Sequence, residues 1–178
     1  NVALAFEAMA RAPWGKQVPE DIFLDYVLPY ACLNEKRENW RRMFFDRFAA
    51  EAWKHKTSGE AGWMLNKTAC PSLRVGYNQG RRRPDQGPLE TIEQGKATCT
   101  GLSILVVDAC RAAGVALYIC NSDGDSAREA DYLDLLLEQR VRGILITPVT
   151  QETSQLAVHA RRRRRIRRAR VARERRAD

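Results

Sequence analysis

The run Gly95-Lys96-Ala97-Thr98-Cys99-Thr100-Gly101-Leu102-Ser103 consists of small residues that deliver one cysteine to the start of an apolar stretch. If that stretch is a helix, the positive end of its dipole favours a thiolate at Cys99. The unpaired backbone N–H groups of Cys99 and Thr100 can then receive the oxyanion of an acyl intermediate. A buried, inert cysteine at a helix start satisfies the same spacing. Cys32, Cys70, Cys110 and Cys120 complete a set of five, spaced by ten positions or more and without a C-x-x-C pair. That pattern offers neither a disulfide framework nor zinc ligands. Cys110 and Cys120 sit in apolar stretches and read as small hydrophobes, which favours a reducing, cytoplasmic setting. Two histidines are present, His55 in a helical stretch and His159 against a block of arginines. Asn121, Asp123 and Asp125 alternate like a calcium loop, but Ser126 stands at the glycine position and Tyr132 at that of the bidentate glutamate. No metal and no cofactor is expected.

The elements that must position Cys99 are legible from periodicity. Thr98 to Ala113 reads as a buried helix, apolar on most faces, with Gly114 where a left-handed C-cap belongs. Ahead of it, Pro19 fits the first turn of a helix through Phe23 and Val27 that Pro29 ends. From Asn34, a plausible N-cap, to about Cys70 the pattern is helical, with Trp40, Phe44, Phe45, Phe48, Ala52 and Trp53 at three- and four-residue steps. Ser58 and Glu60 suggest a fresh cap within that stretch. Leu73 to Tyr77 reads as a strand. A polar connection from Asn78 to Gln94 follows, and a connection this long is more often functional than idle. Val115 to Cys120 reads as an apolar strand, Asp125 to Arg140 as an amphipathic helix and Gly143 to Ile146 as a second strand, together a right-handed parallel βαβ unit.

With 178 residues, 44% of them hydrophobic, the chain supports one principal core. Its formal charge is +8, but residues 161–178 alone hold eleven Arg, one Glu and one Asp, a net +9, so the first 160 residues carry −1. A basic nucleic-acid-binding body is thereby excluded, since the excess sits in one terminal block. The most apolar stretch, Leu102 to Cys120, is interrupted by Asp108 and Arg111 and cannot cross a bilayer. The first residue is Asn1, which suggests that a natural start is missing.

Three segments, VPEDIFLDYVLPYACLNEKRENWRRMFF, RRRPDQGPLETIEQG and GKATCTGLSILVVDACRAAGV, give the chain from Val18 to Val115 a resemblance to the bacterial branch of the transglutaminase-like superfamily, a papain-related cysteine fold. The resemblance implies that Cys99 is a nucleophile toward an amide or peptide carbonyl, with the amides of Cys99 and Thr100 as oxyanion donors. It also implies that the loop carrying Arg82, Arg83 and Asp85 borders the substrate groove. The family pattern requires a histidine and then an Asp or Asn on following strands, and the chain departs from it there. His159 is the one candidate base beyond Cys99, without a strand pattern around it. The chain therefore reads as a truncated enzyme, weak or inactive.

In place of the missing half, VALYICNSDGDSAREADYLDLLLEQRVRGILITPV (115–149) resembles part of the periplasmic-binding-protein-like effector domain of lac-repressor-type regulators, which hold small ligands between two lobes. The expected organisation is an α/β (α+β) chain. Residues 1–114 would form the helical half of a transglutaminase-like fold, 115–149 a βαβ fragment and 150–178 an Arg-rich tail, disordered or helical. Two rival readings stay open, a non-catalytic ligand-binding or regulatory fragment and a non-functional fusion joined at Gly114-Val115 with a frame-shifted arginine end.

The arginine block supplies charge but no interleaved aromatic on which bases could stack. Its contact with nucleic acid or another acidic surface is accordingly expected to be purely electrostatic. Duplex binding measured against salt should weaken with a slope of about −0.9 per phosphate neutralised and show no base preference. Sequence discrimination above about tenfold at physiological salt would contradict this.

Overall fold

The computed structural model describes residues 1–80, 85–122, 124–139, 141, 144–146 and 166–168. In chain order these form α1 (Val2–Arg11), α2 (Glu20–Ile22, continued by a π-helical turn Phe23–Val27), and α3 (Arg41–Phe44, a π-helical turn Phe45–Ala49, then Ala50–Ala52). There follow α4 (Ser58–Ser72), β1 (Gly76–Tyr77), α5 (Pro88–Gln94), β2 (Lys96–Ala97), α6 (Cys99–Ala112), α7 (Ser126–Glu138), β3 (Ile144–Ile146) and β4 (Ile166–Arg168). Helix dominates, and both strand pairs are short and parallel, so the class is mixed α/β. Two compact units divide the chain, Asn1–Tyr118 and Ile119–Asp178.

In the first unit α6 is the spine. Ile104, Leu105, Val107, Ala109, Cys110 and Ala112 are all buried, along with the polar Asp108 and Arg111. The aromatic series anticipated on α3 packs beside it: the Trp40 and Phe44 rings lie 5.6 Å apart, and Phe44 and Phe48 repeat that distance edge to face. Leu65 of α4 and Val75 close the same core. At the C-terminal end of α6, Gly114 has φ +75° and Val115 N–H reaches back to the Cys110 carbonyl at 2.8 Å. A side chain at Gly114 would be strained in that left-handed conformation. Two further carbonyls at this end are satisfied by indoles, Trp53 Nε1–H donating to Ala113 at 3.0 Å and Trp14 Nε1–H to Gly114 at 2.7 Å.

No helix begins at Asn34, because Glu35 turns back to accept from the Cys32 and Leu33 amides, the latter at 2.7 Å, and α3 starts only at Arg41. A carboxylate that satisfies local backbone donors competes with helix propagation. The cap of α4 is Thr57 rather than Ser58. Its hydroxyl accepts from Glu60 N–H at 3.2 Å, and Glu60 returns the contact to Thr57 N–H at 3.3 Å, a reciprocal capping box. His55 lies in the bend between α3 and α4, not on a helix surface. Part of the polar connection after β1 is helical, as α5.

The expected strand Val115 to Cys120 is absent. Val115 is buried in the core, Leu117 packs against it, and Ala116 joins the smaller cluster of Ala5, Phe23 and Val27. The first half of the apolar run is thus used in side-chain packing while Ile119 and Cys120 are exposed, and β3 pairs instead with β4, Ile144 opposite Ile166, so the strands do not form the anticipated βαβ unit. In the second unit α7 begins one residue after Asp125, whose carboxylate accepts from Ala127 N–H at 2.8 Å and Arg128 N–H at 3.2 Å. Those amides lower its pKa. Among the described residues no helix is long and apolar enough to cross a membrane.

A buried polar cluster joins α6 to the front of the first unit. Arg41 is 0% exposed and donates through Nη1 to the Val27 carbonyl at 3.0 Å and through Nη2 to those of Leu28 at 2.9 Å and Pro29 at 2.8 Å. Arg111 pairs with Asp108 at 3.4 Å and donates to the Tyr26 carbonyl at 3.3 Å. Burial pushes the Asp108 carboxyl up to about 8 against the opposing pull of Arg111, with Glu35 adding to the rise and Arg41 opposing it. Folded protein therefore holds a proton that the unfolded chain releases near the usual carboxylate value. Stability should be full below about pH 4 and decline toward pH 8, by at most about 1.4 kcal/mol per pH unit from this one group. Urea unfolding across that window should show Asp108→Asn losing its deficit relative to wild type as pH rises. Parallel pH profiles for the two proteins would contradict the assignment.

Candidate active site around Cys99

Position and exposure of Cys99 follow from the short segment that leads into it. Gly95, at the C-terminal end of α5 with φ +63°, turns the chain into β2, which lies parallel to β1 with Gly76 opposite Lys96 and Tyr77 opposite Ala97. Gly95 carbonyl accepts from Gly76 N–H at 3.1 Å and Ala97 carbonyl from Asn78 N–H at 2.8 Å, so this approach is fixed on both sides of the two-residue ladder. Thr98 is extended and buried, and the helix begins at Cys99, as the small-residue pattern predicts.

The first bond within α6 runs from Leu102 N–H to the Thr98 carbonyl at 3.0 Å. Amides of Cys99, Thr100 and Gly101 precede it and belong to the set that a helix leaves without an intrahelical partner. Cys99 is exposed and Thr100 half-buried, so solvent and the first-turn donors meet at the thiol. An exposed sulfur beside oriented N–H groups can attack a carbonyl carbon while those groups receive the developing oxyanion.

Gly101 is dictated by closeness rather than by φ. A Cβ placed there would stand 2.8 Å from Ala97 Cβ and 3.5 Å from both Cβ and Oε1 of Gln86. The helix start, β2 and the loop before α5 therefore meet at Gly101. From the other side Glu38, fifty-one residues away in sequence, accepts from Leu89 N–H at 2.7 Å and from Glu90 N–H at 3.4 Å, capping α5 across the chain. Neither Gln86 nor Glu38 is singled out by local sequence pattern. Each acts through contacts that only the folded chain creates.

Of the residues expected in the site, Cys99 and Thr100 are adjacent at the helix start, and Asp85 is half-buried in the bend just before Gln86. Arg82, Arg83 and His159 lie outside the described residues. His55 ends the turn after α3, its backbone N–H bonded to the Ala52 carbonyl at 3.1 Å, and its ring makes no hydrogen bond to another described residue. No group of three or more metal-ligating side chains is assembled among the described residues. Comparison with family models, curated proteins and solved structures gives no match for this chain.

The cysteines differ in their surroundings. Cys110 is fully buried, and burial pushes its thiol up to about 12. Burial likewise pushes half-buried Cys32 up to about 11, against the pull of Arg111, and raises Cys70. Cys120 is exposed as a residue, yet partial desolvation of its thiol raises it as well. Iodoacetamide labelling near neutral pH, followed by peptide mass analysis, should modify Cys99 first, Cys120 more slowly and Cys110 only once the chain unfolds. Equal rates at Cys99, Cys110 and Cys120 in folded protein would mark Cys99 as an ordinary thiol.

Proposed function

We propose that the chain is the nucleophile-bearing part of a transglutaminase-like cysteine acyltransferase or amidase. The observation that carries this reading is the exposed Cys99 at the first residue of a buried central helix, with three amides ahead of the first intrahelical bond. In the reaction the Cys99 sulfur adds to an amide carbonyl and the C–N bond breaks. The amine departs with a proton, leaving a thioester. Water then releases the acid, or a second amine takes the acyl group to form a new amide.

Two proton transfers in that sequence need a base: removal of the thiol proton and protonation of the leaving amine. Such a partner contributes about 10² to 10⁴ in rate. His55 makes no such contact with Cys99 in the described hydrogen bonds. The reading is accordingly an acyl-transfer scaffold with its nucleophile and oxyanion donors in place and weak or no turnover on unactivated amides. The resemblance that suggests this class also suggests its substrate, a peptide or protein amide.

A base that the described residues do not bond to Cys99 can be supplied from solution. Ammonia release and amine incorporation on a mixed peptide library should be slight with wild-type chain, rise when imidazole is added, and stay at background for Cys99→Ala with or without imidazole. Turnover that survives Cys99→Ala would overturn the assignment of the nucleophile. Robust turnover without imidazole that is lost in His159→Ala would show that the chain provides its own base.

A further inference from the structure

Besides Glu35, Thr91 and Thr98, the buried polar side chains of the first unit form two groups. One is the Arg41, Asp108 and Arg111 cluster, which engages backbone carbonyls and its own members and leaves Arg41 Nε and Asp108 Oδ2 without a partner among the described residues. The other is beside β2, where Gln86 is only 1% exposed, a degree of burial unusual for an amide side chain. Its Nε2 donates to the Lys96 carbonyl at 3.3 Å and to Gln94 Oε1 at 3.3 Å. Gln94 in turn donates to Glu90 Oε1 at 3.0 Å, so the amide is the inner end of a short chain that runs out along α5.

On its other side Gln86 packs against the first turn of α6, both Cβ and Oε1 standing 3.5 Å from the position of a Cβ on Gly101. Gln86 therefore lies between β2 and the first turn of α6, which begins at Cys99. Its Oε1 meets no hydrogen-bond partner among the described residues. If this space needed only to be filled, an apolar side chain of similar length would fill it without desolvating an amide oxygen. What an apolar side chain cannot do is hold the Lys96 carbonyl, three residues before the thiol.

We propose that Gln86 is a positioning residue for Cys99. Its Nε2–H bond to Lys96 fixes β2 against the helix start, and this keeps the thiol beside the amides of Thr100 and Gly101. The proposal rests on the reading of Cys99 as the working thiol. Glu38 holds the first turn of α5, and Gln86 bonds both the last residue of α5, Gln94, and Lys96 of β2.

The test uses the full chain and reads the iodoacetamide rate of Cys99 relative to Cys120, which needs no catalytic turnover. Gln86→Met keeps length and bulk and removes the donor, and Gln86→Leu is a second filler in case methionine disturbs the fold. Continued protection of Cys110 reports that each variant is folded. The Cys99 to Cys120 ratio should fall at least threefold in the folded variants. A ratio that holds or rises in them would reduce Gln86 to a space filler and overturn the proposal. A wild-type ratio near one would instead remove the reading of Cys99 on which the proposal rests, so the two failures are distinguishable.

Discussion

The first unit depends on a guanidinium buried where water cannot reach it. Arg41 is wholly enclosed, and desolvation lowers its pKa to about 10, so at neutral pH it still carries its charge. A buried charge is tolerable only when its donors are used. Here both terminal nitrogens hold carbonyls, those of Val27, Leu28 and Pro29, with Arg111 carbonyl at 3.5 Å, while Nε meets no partner among the described residues. Three of these carbonyls lie at or just beyond the end of α2, where a helix leaves its own acceptors unpaired. One side chain thus ends α2, anchors the connection to α3 and touches α6. Removing a partner from such a buried charged network typically costs about 3–5 kcal/mol, a large part of the stability of a domain this size.

Position at Cys99 is inherited from that anchor. α6 is a fourteen-residue rod whose far end is held by Arg111 on the Tyr26 carbonyl and by the indoles of Trp14 and Trp53 on the carbonyls of Gly114 and Ala113 just beyond it. The near end is located by β2, by the small contact surface of Gly101 and by Gln86. The segment from Glu35 to Arg41 serves both ends at once, since Glu35 shapes the turn at Cys32, Glu38 caps α5 and Arg41 holds α2. Charged residues that a composition count would assign to the surface are used here on backbone groups.

This explains which parts of the fold the sequence discloses. α6 is readable because a long apolar run between small residues and Gly114 has one physical solution, and the observed bounds Cys99–Ala112 lie within a residue of those anticipated. Trp40, Phe44 and Phe48 are readable for the same reason, a helical repeat of large rings. The segment before Arg41 is not readable, because Glu35 turns back on the amides of Cys32 and Leu33 while Glu38 acts on amides up to fifty-two positions away, and no local pattern marks such partners. Val115 to Cys120 misleads in the opposite direction. Its apolar composition signals burial, and burial is what Val115 achieves, but nothing in it specifies a ladder. Gln86 escapes notice because a glutamine in a polar loop is ordinary until Lys96 is folded against it.

The claim that Cys99 is a nucleophile presented at the helix start is tested most directly by trapping the acyl group on it. The chain would be mixed with an activated acyl ester, quenched in acid and digested, and the mass of every cysteine peptide measured. An acyl addition confined to the Cys99 peptide, removed by hydroxylamine and absent in Cys99→Ala, is the result predicted. Acylation spread evenly over Cys99 and Cys120, or found on Cys120 alone, would show that the helix start confers no special reactivity and would contradict the account.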